Sequence, residues 1–459
     1  MEKRWWSALL DIWHLNRAHV GTDISIGYRR LKKYYKDIKI FGYHSGKIVN
    51  GWEIPHGWDV KNATLKSIKG KIIASWKKNK LCLWMYSPKF KGVVSKKDLM
   101  KRLFFDKKRP NRTLWHFRNQ YNFWKSEWGF SLPYNSIKNL KDKKYVVEIN
   151  SKFFKSKMEM AEQVHRGIKK ESILFIGHFD HPQMCLDGLV GCLAGHEVLE
   201  RLKGKKTRYT YRMLSTVEII GSVFYAKYKL KKNKIKQALF LATSGAHQKL
   251  HYQTSFGKNN IIDRASRECL KYFEKGFKTS DFRKGPLGND EVAFDVGGVD
   301  IPCGSLCRAP FKTYHTDLDI PSGVSKKKFE ETVLLIEEII FTIDNNCYIK
   351  RNFKGLPRLS SKKNNLYLSP ASVSGVKQKF NDKIFDTLFK DIHAKQYKYL
   401  LNNTNKFNHL MNSIPNLANG DKTILDIAEI NNIPFRFVYN YLLLWEKKGL
   451  IKKKWGNLN

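Results

Sequence analysis

Acidic residues are scarce in this chain of 459 residues: 41 Asp and Glu stand against 85 Lys and Arg, a formal net charge of +44. An excess of that size attracts nucleic acid, anionic glycan or a membrane surface. The lysines are spread along the whole chain rather than gathered in one stripe, so the excess reads first as a lysine-rich way of filling solvated positions. Long apolar runs are also absent. The nearest, Val333–Ile343, is broken by Glu337 and Glu338 and falls short of the roughly 20 residues that span a bilayer, so no membrane span is expected. The opening MEKRWWSALLDIW is interrupted by Asp11 and no small-residue cleavage site follows, so no signal peptide is expected. Seven cysteines form no CxxC pair. Cys303 and Cys307 read as packed thiols, and a reducing cytoplasm fits that usage. No internal repeat is evident.

Hydrophobic residues make up 42% of the chain and aromatic residues 13%, enough to build packed cores in two to four domains of roughly 150 residues each. Residues 1–41 read as helical. From Gly42 to residue 133, short β segments alternate with turns: Lys47–Val49, Trp58–Lys61, Ala63–Ile68, Ile72–Ser75 and Leu81–Tyr86. Over 134–357 strands and helices alternate, with strands at Ile173–Ile176, Tyr209–Leu214 and Gln237–Ala242. Helices are expected at Leu189–Leu202, Gly221–Lys229, Ile262–Phe273 and Phe329–Asn345. That alternation predicts an α/β fold with a mainly parallel sheet. Arg358–Lys377 reads as a linker. In 376–459, Thr423–Ile430, a break at Asn431–Pro434, Phe435–Lys447 and a basic Leu450–Lys454 strand describe a winged helix-turn-helix.

Ligands of open α/β sheets sit beyond the carboxyl ends of the strands, so residues just after a strand carry the most information. The block ILFIGHFDHPQMCLDGLVG places His178, His181, Asp180 and Asp187 directly after a buried-strand pattern. Imidazole and carboxylate are ligands that zinc takes. Glu218 follows the next strand-like run, and His315 with Asp319 follows the apolar Ile301–Leu306. Three strand ends that each deliver a ligand type describe one site; alone, each is as readily a capping or turn segment.

These segments resemble the aminopeptidase-like proteins of polysaccharide-biosynthesis clusters, distant relatives of the two-zinc aminopeptidases. Ser45-Gly46, Trp52-Glu53-Ile54-Pro55, Trp58-Asp59-Val60, Tyr86-Ser87-Pro88 and Trp128-Gly129-Phe130 are similar to that family's inserted β domain. His181-Pro182, Asp187 and Gly191 resemble its first metal motif, and Glu218 with Gly221-Ser222 its glutamate motif. Gly288-Asn289-Asp290-Glu291, Gly304-Ser305-Leu306 with Arg308, and His315-Thr316 with Asp319 resemble its later blocks. The resemblance implies zinc held by His181, Asp187 and His315, with Glu218 as general base or a metal ligand. It implies Asp319 as the partner orienting His315, Asp290 as a supporting acid, Arg308 as a contact for a substrate carboxylate, and His178 and Asp180 as supporting groups or extra ligands.

The chain also departs from the family pattern. Gly188 and Val190 stand where an Asn and a Ser are usual, Asp180 where a Cys is usual and Val217 where a Pro is usual. Glu218 is single where the two-zinc enzymes have adjacent glutamates, and Leu239–Gly245 lacks their next acid, with only His247 nearby. Two functions are therefore open. The first is a cytoplasmic metal-dependent hydrolase of a peptide-like or amino-sugar-derived amide, with room for a homo-oligomer. The second is a catalytically degraded relative that binds nucleic acid or a partner. Nucleic acid is not favoured, because Phe435–Lys447 begins with a lone Arg436 among aromatics, whereas base readout prefers Arg, Asn or Gln.

Overall fold

The computed structural model describes residues 3–286, 288–368 and 383–456. The segment Ser-Ile-Leu-Phe-Ile-Gly-His (Ser172–His178) is buried along its whole length, as a strand covered on both faces must be. It lies inside a sheet of strands β1 (Lys39–His44), β2 (Lys157–His165), β3 (Ser172–His178), β4 (Thr210–Thr216), β5 (Ile235–Leu241), β6 (Leu250–Gln253) and β7 (Cys303–Arg308). Their spatial order is β1-β2-β4-β3-β5-β7-β6, with a short eighth strand at the far edge. The inner strands β4, β3, β5 and β7 are parallel, and β1, β2 and β6 add antiparallel edges. The expected α/β sheet with a mainly parallel core is present.

Helices α1 (Arg4–Ile12) and α2 (Thr22–Tyr34) precede the sheet. Helix α3 (Leu189–Arg201) carries the chain from β3 outward to β4, and α4 (Ile220–Asn233) returns it across β3 to β5. The winding direction therefore reverses at β3. Such a switch point leaves a crevice at the carboxyl end of the strand, and His178 is the last residue of β3. Helix α3 lies close to the sheet because it carries glycine where a side chain would not fit: a Cβ on Gly191 would run into the carbonyl of Leu241.

The inserted β segment forms a four-stranded antiparallel sheet of Ile72–Ser75, Gly57–Ser67, Lys144–Phe154 and Phe90–Ser95, in that order. The sequence places Tyr145–Ile149 at the start of the domain 134–357, and it lies within the strand Lys144–Phe154. That strand sits instead in this sheet, paired on both sides, so the insert runs past that boundary. Leu81–Tyr86 is not a strand, because Asn79 accepts the Leu81 N–H at 2.9 Å and starts a 3-10 turn over Lys80–Cys82. Insert and parallel sheet fall in one compact unit, Met1–Phe256 with Thr279–Val333.

The second unit comprises Gly257–Lys278 and Leu334–Asn459. In it Asn405–Leu417, Ile424–Asn431 and Phe435–Lys447 are helices. Asn419–Thr423 and Ile451–Lys454 pair with Tyr348–Arg351 between them. That central strand precedes the expected boundary at 357, so the module begins earlier in the chain than the linker composition implies. Part of the expected linker, residues 369–377, lies outside the described residues.

One buried cation ties the segment before α2 to the loop after β3. Arg17 is fully buried and donates to the carbonyls of Phe179 (2.7 Å), Met184 (2.8 Å), Trp13 (3.0 Å) and Ile12 (3.1 Å). Each carbonyl left unsatisfied in a dry interior costs about 1–3 kcal/mol. We expect Arg17→Ala to cost at least about 3 kcal/mol and to lower the first thermal transition by roughly 6–12 °C. Near-ultraviolet circular dichroism during heating measures this, and an unshifted transition would remove Arg17 as the pin of that loop.

Candidate metal centre

Beyond β3 the chain turns through Phe179–Gly188 into α3, and this turn holds the densest chemistry in the molecule. Gly188 adopts φ +94°, and a Cβ there would meet the carbonyl of His178. The departure from the family's Asn at this position thus matches a turn too tight for a side chain. Asp319 fixes the turn by accepting the N–H of Leu186 at 2.7 Å and of Asp187 at 2.9 Å. Its expected role of orienting His315 is corrected: its carboxylate grips the backbone of the Asp187 turn.

Asp187, buried at the centre, is met by imidazoles on both oxygens. Oδ1 is 3.0 Å from His178 Nε2 and 3.8 Å from His181 Nε2, and Oδ2 is 3.1 Å from His315 Nε2. Oδ2 nonetheless accepts no well-directed hydrogen bond, and His181 Nδ1 has none either. Donor atoms of His178, His181 and Asp187 lie within 4.8 Å of one another, the scale of a coordination shell. A buried two-nitrogen, one-oxygen donor set fits a divalent cation such as zinc.

Of the two roles expected of His178, supporting group or extra ligand, its surroundings fit a ligand. Its Nδ1 faces Asp290 Oδ2 at 3.4 Å, and Asp290 also accepts Ser222 Oγ at 2.6 Å. A carboxylate on the far nitrogen fixes ring and tautomer, which is how metal-ligating histidines are held. His315 touches only the opposite oxygen of Asp187. Its ring stacks on Tyr314 at 3.7 Å and meets the edge of Trp115 at 4.7 Å. Trp115, from the insert, also packs on His181 at 4.4 Å and makes an apolar wall that the sequence did not reveal.

Glu218 Oε2 lies 3.3 Å from His181 Nε2, and Oε1 accepts from the side chain of Asn289. The Glu218 backbone is held by Asp180, which accepts its N–H at 2.9 Å, and by the Tyr121 hydroxyl, which donates to its carbonyl at 3.3 Å. The other oxygen of Asp180 is 3.1 Å from His19 Nε2. Asp180 is therefore directed away from the imidazole cluster and is not an extra ligand. His19, Tyr121, Ser222 and Asn289 come from four separate segments, and only Ser222 and Asn289 lie in motifs visible in the sequence.

Arg308 requires a correction. Its side chain is 0% exposed and donates to Thr332 Oγ1 at 3.2 Å and to the carbonyls of Gln248 and Lys328 at 3.0 and 3.5 Å. Those bonds stitch β7 to neighbouring segments and leave no face for a substrate.

Burial pushes Glu218 up to about 8 and His181 down to about 3. Burial also opposes the charged form of His178, yet its bonds to Asp187 and Asp290 outweigh that and raise it well above the ordinary value. Asp187 is held well below the carboxylate range: burial works against its charge, and His181, His178 and His315 more than offset it. Without a cation the cluster thus keeps a proton on His178.

The chain matches the family model described as a domain of unknown function, DUF4910, over residues 6–346. A Clostridium acetobutylicum protein named for polysaccharide biosynthesis and an aminopeptidase-like domain is 30% identical over 357 residues, 77% of this chain and 80% of the relative. The chain belongs to this family of aminopeptidase-like proteins. A crystal structure of a C. acetobutylicum protein named as a peptidase superposes with TM-score 0.81 at 24% identity, covering 98% of this chain and 96% of the other. A zinc aminopeptidase from Bacillus subtilis superposes with TM-score 0.53 at 12% identity, covering 74% and 94%. At those identities both structures establish the fold alone.

Metal binding must displace the proton on His178, so affinity should rise with pH. Zinc titration of the chelator-treated protein at pH 6 and pH 8 should show tighter binding at pH 8, by up to about tenfold per pH unit for each proton released. His178→Ala should abolish it. Equal affinity at the two pH values, or full zinc content in His178→Ala, would place the metal elsewhere.

Proposed function

We propose that the protein is a zinc-dependent hydrolase of an amide bond, in a peptide, an N-acyl group or an amino-sugar derivative. The observation that carries this reading is the convergence of His178, His181 and Asp187 at the switch point, with the carboxyl group of Glu218 beside them. Zinc, when bound, supplies a Lewis acid that lowers the pKa of water and polarises a carbonyl. The Oδ1 side of Asp187 faces two imidazoles and the Oδ2 side only His315, which favours one principal metal. His315 then steadies the far oxygen of Asp187 instead of completing the metal's donor set.

Glu218 is the group suited to move a proton. Asn289 fixes its Oε1, and Asp180 and Tyr121 fix its backbone, so Oε2 is free to take a proton from water and return it to the leaving amine. A proton acceptor near neutrality performs that task best. A cation beside Glu218 would lower it from its metal-free value of about 8 toward that range. The name of the C. acetobutylicum relative supports a place in surface-polysaccharide assembly, and the burial of all seven cysteines supports a reducing compartment.

The second unit is best read as a winged helix used for structure or docking. Helix Phe435–Lys447 has no exposed residue before Lys447. Arg436, the base-reading candidate, is held by Glu338 Oε2 at 2.6 Å and lies over the Phe341 ring at 3.5 Å. A recognition helix must offer base-reading side chains to the major groove. On the partly exposed face of this one, Arg436 is already engaged by Glu338, and Asn440 donates to the carbonyls of Leu388 and Lys390.

If the protein cleaves an amide, Glu218→Gln should lower turnover at least the roughly 10²-fold expected for a lost general base, with zinc content retained. Undiminished turnover removes Glu218 from the mechanism. Binding-site selection on random DNA at physiological salt should enrich no motif, and a defined motif lost on deleting residues 383–459 would instead make the protein a regulator.

A further inference from the structure

The cavity bounded by His178, His181 and Asp187 has a volume of about 160 Å³, and its far wall is built from Gln253, Arg283, Asn289 and Tyr314. Apart from histidine, Arg283 is the only basic residue among the described residues that line it. Its side chain is 50% exposed, unlike the sealed Arg308. It stands at φ +60°, a left-handed conformation for a residue with a side chain.

The guanidinium is anchored at one corner. Nη1 donates to the carbonyl of Gly288 at 3.0 Å and lies 3.4 Å from Glu291 Oε1. Glu291 is fully buried and already accepts from Gln253 Nε2 at 2.9 Å and from the backbone N–H of Asn289. It therefore holds the guanidinium in place while its own charge is shared among several donors. The edge formed by Nε and Nη2 makes no hydrogen bond among the described residues. A fixed guanidinium with one open edge is the geometry that takes a carboxylate with two parallel bonds.

We propose that Arg283 binds a carboxylate on the substrate, so that the site selects amides in which the residue losing its partner carries a negative charge. This rests on the hydrolase reading above and assigns to Arg283 the role that burial denies to Arg308. Tyr314, stacked on His315, lines the same cavity.

The test uses the full-length zinc-loaded protein and two probes of equal size, L-glutamate and L-glutamine, titrated by calorimetry. The wild type should bind glutamate at least about tenfold more tightly, a difference of about 1.4 kcal/mol. Arg283→Gln should abolish the difference, and Arg283→Lys, which keeps the charge and loses the fork, should retain part of it. Equal affinities in the wild type, no measurable glutamate binding, or a preference that survives in Arg283→Gln would each overturn the proposal. So would loss of zinc or of the melting transition in Arg283→Gln, since Arg283 would then be a structural clamp. A dipeptide panel comparing Glu-Ala with Gln-Ala separates the two readings. Cleavage without acidic preference removes the role of Arg283 and leaves the hydrolase. No cleavage, with the glutamate preference intact, removes the hydrolase and leaves the anion site.

Discussion

The structure is organised around a carboxylate that has been taken out of water. A buried, uncompensated charge costs several kcal/mol, and Asp187 is buried at the carboxyl end of the parallel sheet. Its cost is met by three imidazoles and by placement of its backbone through Asp319. Every neighbouring feature follows from that constraint. Gly188 lets the turn close beneath it, Asp290 holds the ring that faces it, and Arg17 keeps the loop around it from opening.

Two layers of support surround the cluster and come from different parts of the chain. The parallel sheet supplies His178 and, just beyond β4, Glu218. The insert supplies Trp115, whose ring covers His181 and His315 and whose backbone N–H donates to the carbonyl of His315 at 2.9 Å. An apolar lid over imidazoles lowers the local dielectric, which strengthens every charge interaction beneath it. The insert is therefore part of the site's wall, consistent with its lying in the same compact unit as the sheet.

In the second unit the helix Phe435–Lys447 buries one face, and its one arginine is neutralised by Glu338. Phe435, Phe437, Val438, Tyr441, Leu442 and Trp445 lie on one face of that helix and are its buried residues, as an amphipathic core helix requires. The same aromatic richness that makes this helix a poor reader of bases makes it a good core element.

The strands and helices of the parallel core were legible in the sequence, because their signals are local. Ile173–Ile176 and Leu189–Leu202 carry the apolar run and the helical period that their burial requires, and the structure extends or trims them by only a few residues. The chemical types at the strand ends were legible too, since three separate strand ends each deliver a ligand type. The partners of those groups were not. His178 and His181 are three residues apart and of one type, and only the bond to Asp290, 112 residues away, shows that His178 is held like a ligand. Arg308 and Arg283 are equally arginine in the sequence, yet one is sealed among carbonyls and the other opens on the cavity. Sequence alone determined which elements form and which chemistry the chain carries. Tertiary structure decided which atoms meet, because burial and direction of a side chain depend on segments that only folding brings together.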